Sequence, residues 1–315
     1  MELSAQEASP PAPRPGRDGF KWLTAGIGLA APLILVWLVV IIGREAWPAI
    51  DHFRLGFLAS RAWNPVRQNF GGLTFIYGTI VTSGLALLVA LPVGVGVAIF
   101  LAEPGVARLR SAIGTGVELL AAIPSVVYGI WGLYVLAPWL LQHVSGPVSE
   151  RFGTIPIFSG PARQSSILTA ATVLAVMVLP TLAAVCRDVI RAIPQGLREA
   201  SVALGATWWE TVWKVILPAA RPGIFGATIL ALGRALGETI AVTMTIGNRP
   251  EIQTSVFGSA YTLASVIANE FTEATGQLYP AALLELGLVL IMITLLVNLI
   301  ALLLVRRVGH EARVS

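Results

Sequence analysis

Six long apolar runs alternate with polar stretches along the chain: 22–42, 73–101, 115–141, 167–185, 224–246 and 282–305. Each is long enough to cross a hydrocarbon layer of roughly 30 Å at about 1.5 Å per residue, so the pattern predicts six transmembrane helices. Residues 1–19 are rich in Pro, Ala and Arg without an apolar period and read as a disordered tail. The first run is too long for a signal peptide, and no small-residue cleavage site follows it. The connection 43–72 carries Trp47, Trp63 and four arginines, and its tryptophans suit an interface belt. Residues 102–111 read as a short turn, and 142–166 as a Gly/Pro/Ser-rich outer loop. Pro124 falls inside the third run, as a break or a plain kink. Within the outer segment 247–281, Phe257, Tyr261, Ala264, Ala268 and Phe271 recur at helical spacing, which predicts a helix on the outer rim.

The longest hydrophilic interruption of the second half is 194–222, PQGLREASVALGATWWETVWKVILPAARP. Leu197, Ala200, Ser201 and Leu204 fall at i, i+3, i+4 and i+7, which gives a first short helix one small apolar face. Gly205 supplies the positive φ that a helix C-terminus favours. Thr207 and Glu210 form a capping box that starts a second helix through Trp208, Trp209 and Trp213, which Pro218 is expected to end. A bent helical pair just outside a membrane is a shape for docking another protein. The alternative is an amphipathic pair lying on lipid.

Composition narrows the class. Of 315 residues 56% are hydrophobic and only 12% charged, a balance for a polytopic all-α membrane protein. The net charge of +4 comes from loop arginines and does not point to nucleic acid. Cys186 stands alone, which excludes an internal disulfide, and the three histidines have no metal-ligand spacing. Neither lysine sits in a phosphate-binding GxxxxGK[ST] loop, so neither ATP hydrolysis nor a bound cofactor is expected of this chain. No internal repeat supports an inverted-repeat secondary transporter. With the N-terminus inside, inner segments hold 13 Lys and Arg and outer loops 7, which puts both termini and the 194–222 loop in the cytoplasm.

Candidate chemistry lies in the fifth run. Arg234 comes about 17 Å in from Gly223, near mid-bilayer, with Glu238 one helical turn further on the same face. A charge there costs about 2.5–3.5 kcal/mol even on the lenient insertion scale, so it is expected to face a cavity or a partner. A purely structural i, i+4 ion pair contributes only about 0.2–0.5 kcal/mol, too little to offset that cost. Gly233 and Gly237 form a GxxxG face beside the charges, so both would border a helix–helix seam. An arginine fork suits an oxyanion. A nearby carboxylate suits one that still carries a proton, as hydrogen phosphate does and sulfate does not. Ser125 and Tyr128, after Pro124, are further candidate lining residues. Glu118 and Glu285 are expected near the inner and outer headgroups, and Asn298 in a hydrogen bond to a neighbouring helix.

Glu199-Ala200-Ser201, Gly205, Val215 and Leu217-Pro218 stand at the spacing of the EAA loop of bacterial ABC-importer permeases, with Ser201 and Val215 replacing the usual alanine and isoleucine. With IPSVVYGIWGLYVLAP (123–138), GRALGETIAV (233–242) and ASVIANEF (264–271), the chain from about residue 20 onward resembles the PstC-type permease of the bacterial phosphate importer. The resemblance implies a type I ABC importer permease fold of six transmembrane helices with cytoplasmic coupling helices. It divides the chain into a cytoplasmic tail (1–19), a first helix and periplasmic loop (20–72), a transmembrane core (73–306) and a cytoplasmic tail (307–315). It implies a multi-pass protein of the bacterial inner membrane. It also implies a heterodimer with a PstA-type permease, a PstB-type ATPase dimer in the cytoplasm and a PstS-type periplasmic phosphate-binding protein. Arg234 and Glu238 match the family's phosphate-passage residues. Arg198, Glu199, Ala200, Ser201, Gly205, Trp208, Leu217 and Pro218 fall in the ATPase-coupling loop. A permease for sulfate or molybdate, and a sensor or scaffold that passes no solute, are the competing readings.

Overall fold

A computed structural model describes the backbone over residues 17–103 and 107–314 and the side chains over 21–103 and 107–303. The expected disordered tail lies, but for its last three residues, outside the described residues; the rest begins a helix. Among the described residues six helices are long and apolar enough to span a membrane: Lys21–Phe53, Leu73–Ala102, Ser125–Phe152, Ile167–Arg191, Trp208–Gly237 and Leu278–Leu303. They are called here spans one to six. Spans two and four pack along each other, span five lies against both and against span six, and span one runs along span six. Small residues make this close approach possible: Ala86, Ala90, Ala98, Ala170, Ala227 and Ala231 are buried in one cluster, as helices in lipid require when dispersion rather than hydrophobicity drives packing.

Five differences from the sequence pattern have a local reason; beyond them span three runs on to Phe152 instead of 141, through the first part of the expected 142–166 loop, and span four to Arg191 instead of 185. Span one does not stop at 42 but runs to Phe53, because Ala46 and Ala49 are buried while Arg44 and Asp51 stay outside. The third helix does not include 115–122. That stretch belongs to a separate helix, Ala107–Ala122, which buries no residue. Pro124 divides the two by disfavouring the helical region for Ile123, and the Tyr128 hydroxyl donates to Leu120 O at 2.8 Å across the break. Glu118 lies on the separate helix, 4.0 Å from the Arg187 guanidinium.

Pro218 does not end a helix. Leu217 N–H reaches back five residues to Val212 O, a π turn over Val212–Ile216, and the helix continues to Gly237. The same widening occurs over Gly132–Leu136 and Leu141–Ser145. All three π turns end two residues before a proline: Pro138, Pro147 and Pro218. The ring has no N–H and clashes with the carbonyl four residues back in a regular helix; the wider turn relieves this.

The fourth difference is in the outer segment. Residues 249–262 are irregular rather than helical, and only Leu263–Glu270 forms a helix. Phe257 and Tyr261 are buried, not on a rim. The helical spacing was misleading because this backbone satisfies its polar groups on neighbouring elements. Ile167 N–H donates to Gly258 O, Leu168 N–H to Val256 O and Ala260 N–H to Ile246 O. Irregular backbone is tolerated at membrane depth only under such cover. Gly78 of span two is required here: a Cβ on it would lie 2.2 Å from Tyr261 O.

The connection after span one is also folded. Trp63–Asn64 and Asn69–Phe70 pair as a short antiparallel hairpin with Trp63 opposite Phe70. Trp63 is half-buried: its indole N–H donates to Glu270 Oε2 at 2.7 Å, and the Tyr279 hydroxyl donates to the same oxygen at 2.6 Å. Phe57, Phe70 and Phe75 are buried in one cluster with Tyr279, against which Trp63 packs.

Candidate functional site

Span five ends at Gly237, part-way along the sequence expected to be one helix. Glu238 is extended (φ −69°, ψ 126°), and a short helix, Ile240–Thr245, resumes after Thr239. This fifth difference separates the two charges. Arg234 and Glu238 do not share a continuous helical face, and no ion pair joins them among the described residues. The break is held by side chains: Thr239 Oγ1 donates to Gly237 O at 3.2 Å, and Thr243 Oγ1 to Thr239 O at 2.7 Å. Broken helices are where transporters place ligand groups, because the freed backbone must face protein or a watery cavity.

Arg234 is exposed on span five. It lines an open cavity of about 640 Å³ with Thr181, Gly226, Gly233, Thr294 and Asn298. Among the described residues no group accepts a hydrogen bond from its guanidinium; it lies within electrostatic reach of Tyr128. A Cβ at Gly233 or Gly237 would meet nothing within 4 Å, so the GxxxG face is open in the isolated chain. Asn298 is exposed in the same cavity and has no hydrogen bond to a neighbouring helix among the described residues. Thr181 and Thr294 were not singled out in the sequence; Asn298 was visible as a lone amide in an apolar run.

Glu238 is half-buried on the other side of the break, its Oε1 3.5 Å from Ala241 N. Ala241 packs with Tyr128 at the start of span three and with Val173 and Met177 of span four. Tyr128 is 6% exposed, with its hydroxyl committed to Leu120 O, so it shapes the wall of the region. Ser125, one turn before it, is half-exposed. Glu285 is not at a headgroup surface but 7% exposed within span six, with Oε2 lacking a hydrogen bond.

The 194–222 loop has the expected bend. A first helix, Gln195–Ala203, ends before Gly205, whose φ is +84°. The Thr207–Glu210 capping box is formed in both directions. Ser201, however, does not sit on an open face. It is buried, with its Oγ 2.9 Å from Thr211 Oγ1, and so ties the two helices together. Leu197, Ala200 and Leu204 remain exposed and line a groove of about 480 Å³ with Gly205 and Val215. Glu199 and Trp208 are exposed and border a wider one of about 930 Å³. Leu217 and Pro218 are half-buried at the root of span five.

Arg198 turns inward. Its Nη1 donates to Glu103 Oε1 and its Nη2 to Ile190 O at 2.9 Å. Glu103 follows the last residue of span two and its side chain is only 5% exposed. Nothing in the sequence singled out Glu103, because its partner lies 95 positions away.

Comparisons with known proteins agree with this architecture. Residues 94–310 match the family described as binding-protein-dependent transport system inner membrane component. The phosphate transport system permease protein PstC of Mesorhizobium japonicum is 43% identical over 314 residues, covering 95% of this chain and 96% of that protein. The protein of the same name from Pasteurella multocida is 42% identical over 296 residues, with 93% and 92% covered. Among solved structures, a chain of the inward-facing MetNI methionine ABC transporter aligns with a TM-score of 0.56 at 21% identity, over 78% of this chain and 99% of that one. A chain of a bacterial alginate ABC transporter aligns at 0.57 and 20% identity, over 92% and 96%. These structural likenesses show the fold, that of a type I ABC importer permease. With its six spans, bent loop and near full-length match to the relatives, the chain is a multi-pass membrane protein that belongs to the binding-protein-dependent transport system inner-membrane component family, in its PstC-type phosphate permease branch.

Proposed function

We propose that this chain is half of the translocation pathway of an ATP-driven inorganic phosphate importer, and that the anion passes Arg234. The observation that carries the reading is the Arg234 guanidinium, exposed in a cavity and without a hydrogen-bond acceptor among the described residues. A cation left unsatisfied within a spanning helix demands an anion, water or a partner. The names of the close relatives supply phosphate as the anion. Glu238, across the helix break, accepts a hydrogen bond from the P–O–H that hydrogen phosphate still carries and repels fully ionised sulfate. Ser125, half-exposed at the start of span three, is a further candidate to line the route.

A PstA-type permease covers the open Gly233/Gly237 face and completes the pathway. A PstB-type ATPase dimer docks in the cytoplasm on the exposed Glu199, Ala200, Gly205 and Trp208, and a PstS-type binding protein delivers phosphate from the periplasm. Both termini then lie in the cytoplasm of a bacterial cell. Because Trp208–Gly237 is one continuous helix, displacement of the docking loop moves Arg234 directly, about 39 Å away along the helix.

The test is radiolabelled phosphate uptake by the assembled complex in proteoliposomes, wild type against Arg234→Gln and Arg234→Lys. Uptake is expected to be abolished by Gln and strongly reduced by Lys, which has the charge without the planar fork. Undiminished uptake by Arg234→Gln refutes the route. Sulfate competing as well as phosphate would assign another oxyanion, and absence of any ATP-dependent uptake would leave a scaffold.

A further inference from the structure

We infer that Arg198 and Glu103 form a strut through which the docking loop drives span two, and with it the outer segment 249–262. The inference rests on the proposal that the loop docks an ATPase. It reassigns Arg198 from a group that would touch that partner to a positioning residue acting inside the chain.

The chain of contacts is continuous. Arg198 lies in the first loop helix and its guanidinium joins the inner end of span two, at Glu103, to that of span four, at Ile190 O. Arg191 Nη2 donates to Leu101 O at 2.9 Å and reinforces the same junction. From Glu103 the second span runs without interruption back to Leu73. In its outer half Thr79 Oγ1, about 36 Å from Glu103 by the helical rise, accepts from Leu263 N–H at 2.9 Å. The Tyr77 hydroxyl donates to Gln253 O at 2.6 Å, and Gly78 meets Tyr261 backbone to backbone. A shift of the docking helix therefore reaches the outer segment by a second lever, apart from span five.

Burial argues for a role beyond stability. The pair is largely withdrawn from solvent, with side-chain exposures of 20% and 5%. Replacing a buried ion pair by apolar residues is commonly neutral or stabilising, so its best-attested use is to fix register between elements. Here the elements registered are the docking helix and span two.

The experiment uses the full complex with its ATPase and binding protein. Two double variants are compared: the charge exchange Glu103→Arg/Arg198→Glu and the apolar pair Glu103→Leu/Arg198→Met. The apolar pair is expected to co-purify with the ATPase and unfold no more easily than wild type, yet to lose stimulation of ATP hydrolysis by the phosphate-loaded binding protein about five- to tenfold, a modest inter-site coupling. The exchange is expected to recover most of that stimulation. Normal stimulation in the apolar pair overturns the strut, as does an exchange no better than the apolar pair. Loss of the ATPase from the apolar pair also overturns it, because Arg198 and Glu103 would then only shape the docking surface. Failure of docking itself is read separately with Gly205→Asp, which leaves the pair intact.

Discussion

Gly78→Ala isolates the contact between span two and the outer segment. The new methyl would lie 2.2 Å from Tyr261 O and 3.0 Å from its carbonyl carbon. A carbon-to-oxygen contact normally rests near 3.3 Å or beyond, so one backbone must retreat by about 1 Å. Neither is a flexible side chain. Overpacking of this kind costs about 1–3 kcal/mol. The retreat also stretches the Leu263 N–H to Thr79 and Tyr77 to Gln253 hydrogen bonds, each worth about 0.5–1.5 kcal/mol net. Alanine returns up to about 1 kcal/mol of helix propensity, which leaves a net loss of about 1–5 kcal/mol. Gly84, on the same helix with nothing within 4 Å of its Cβ position, is the control. Gly84→Ala is expected to be neutral or slightly stabilising. Denaturant unfolding of both variants in detergent, followed by hydrogen exchange at residues 249–263, reads the difference. If Gly78→Ala unfolds like Gly84→Ala and its outer segment exchanges no faster, the close approach is wrong.

Further substitutions probe the loop and the outer cluster. Gly205→Ala forces a side chain to φ +84° in open space and is expected to cost about 1 kcal/mol while keeping coupling; Gly205→Asp is expected to abolish binding-protein-stimulated ATP hydrolysis, and unchanged stimulation would count against docking there. Thr207→Ala removes the capping box and is expected to cost about 1 kcal/mol, seen as faster hydrogen exchange over residues 208–212. Glu270→Ala leaves the Trp63 indole and the Tyr279 hydroxyl without their acceptor; with about 1–3 kcal/mol for each stranded group, a loss near 3 kcal/mol is expected, and a wild-type unfolding midpoint would contradict it.

The span count and the bent loop were legible because hydropathy runs, a capping box and a glycine are local signals. Pairings across the chain were not. The strut joining Arg198 to Glu103, and the tether of Trp63 and Tyr279 to Glu270, depend on side chains brought together only by packing. The periodicity of Phe257, Tyr261 and Ala264 failed because segment 249–262 borrows hydrogen-bond partners from spans two and four. Pro218 misled for a different reason: a π turn absorbs the proline, and nothing in a residue list marks that extra turn width. At the candidate site the sequence reading put Arg234 and Glu238 on one continuous helix, whereas span five ends at Gly237 and Glu238 lies in the break beyond it.

The outward-facing Arg234 sets a condition on biogenesis. A single copy inserted alone would present its guanidinium and bare glycines to acyl chains, at about 2.5–3.5 kcal/mol on the insertion scale for the charge. An orphan would tilt, draw water inward or associate with whatever offers an anion. In the proposed complex, balanced synthesis with the permease that covers this side follows from that one exposed cation.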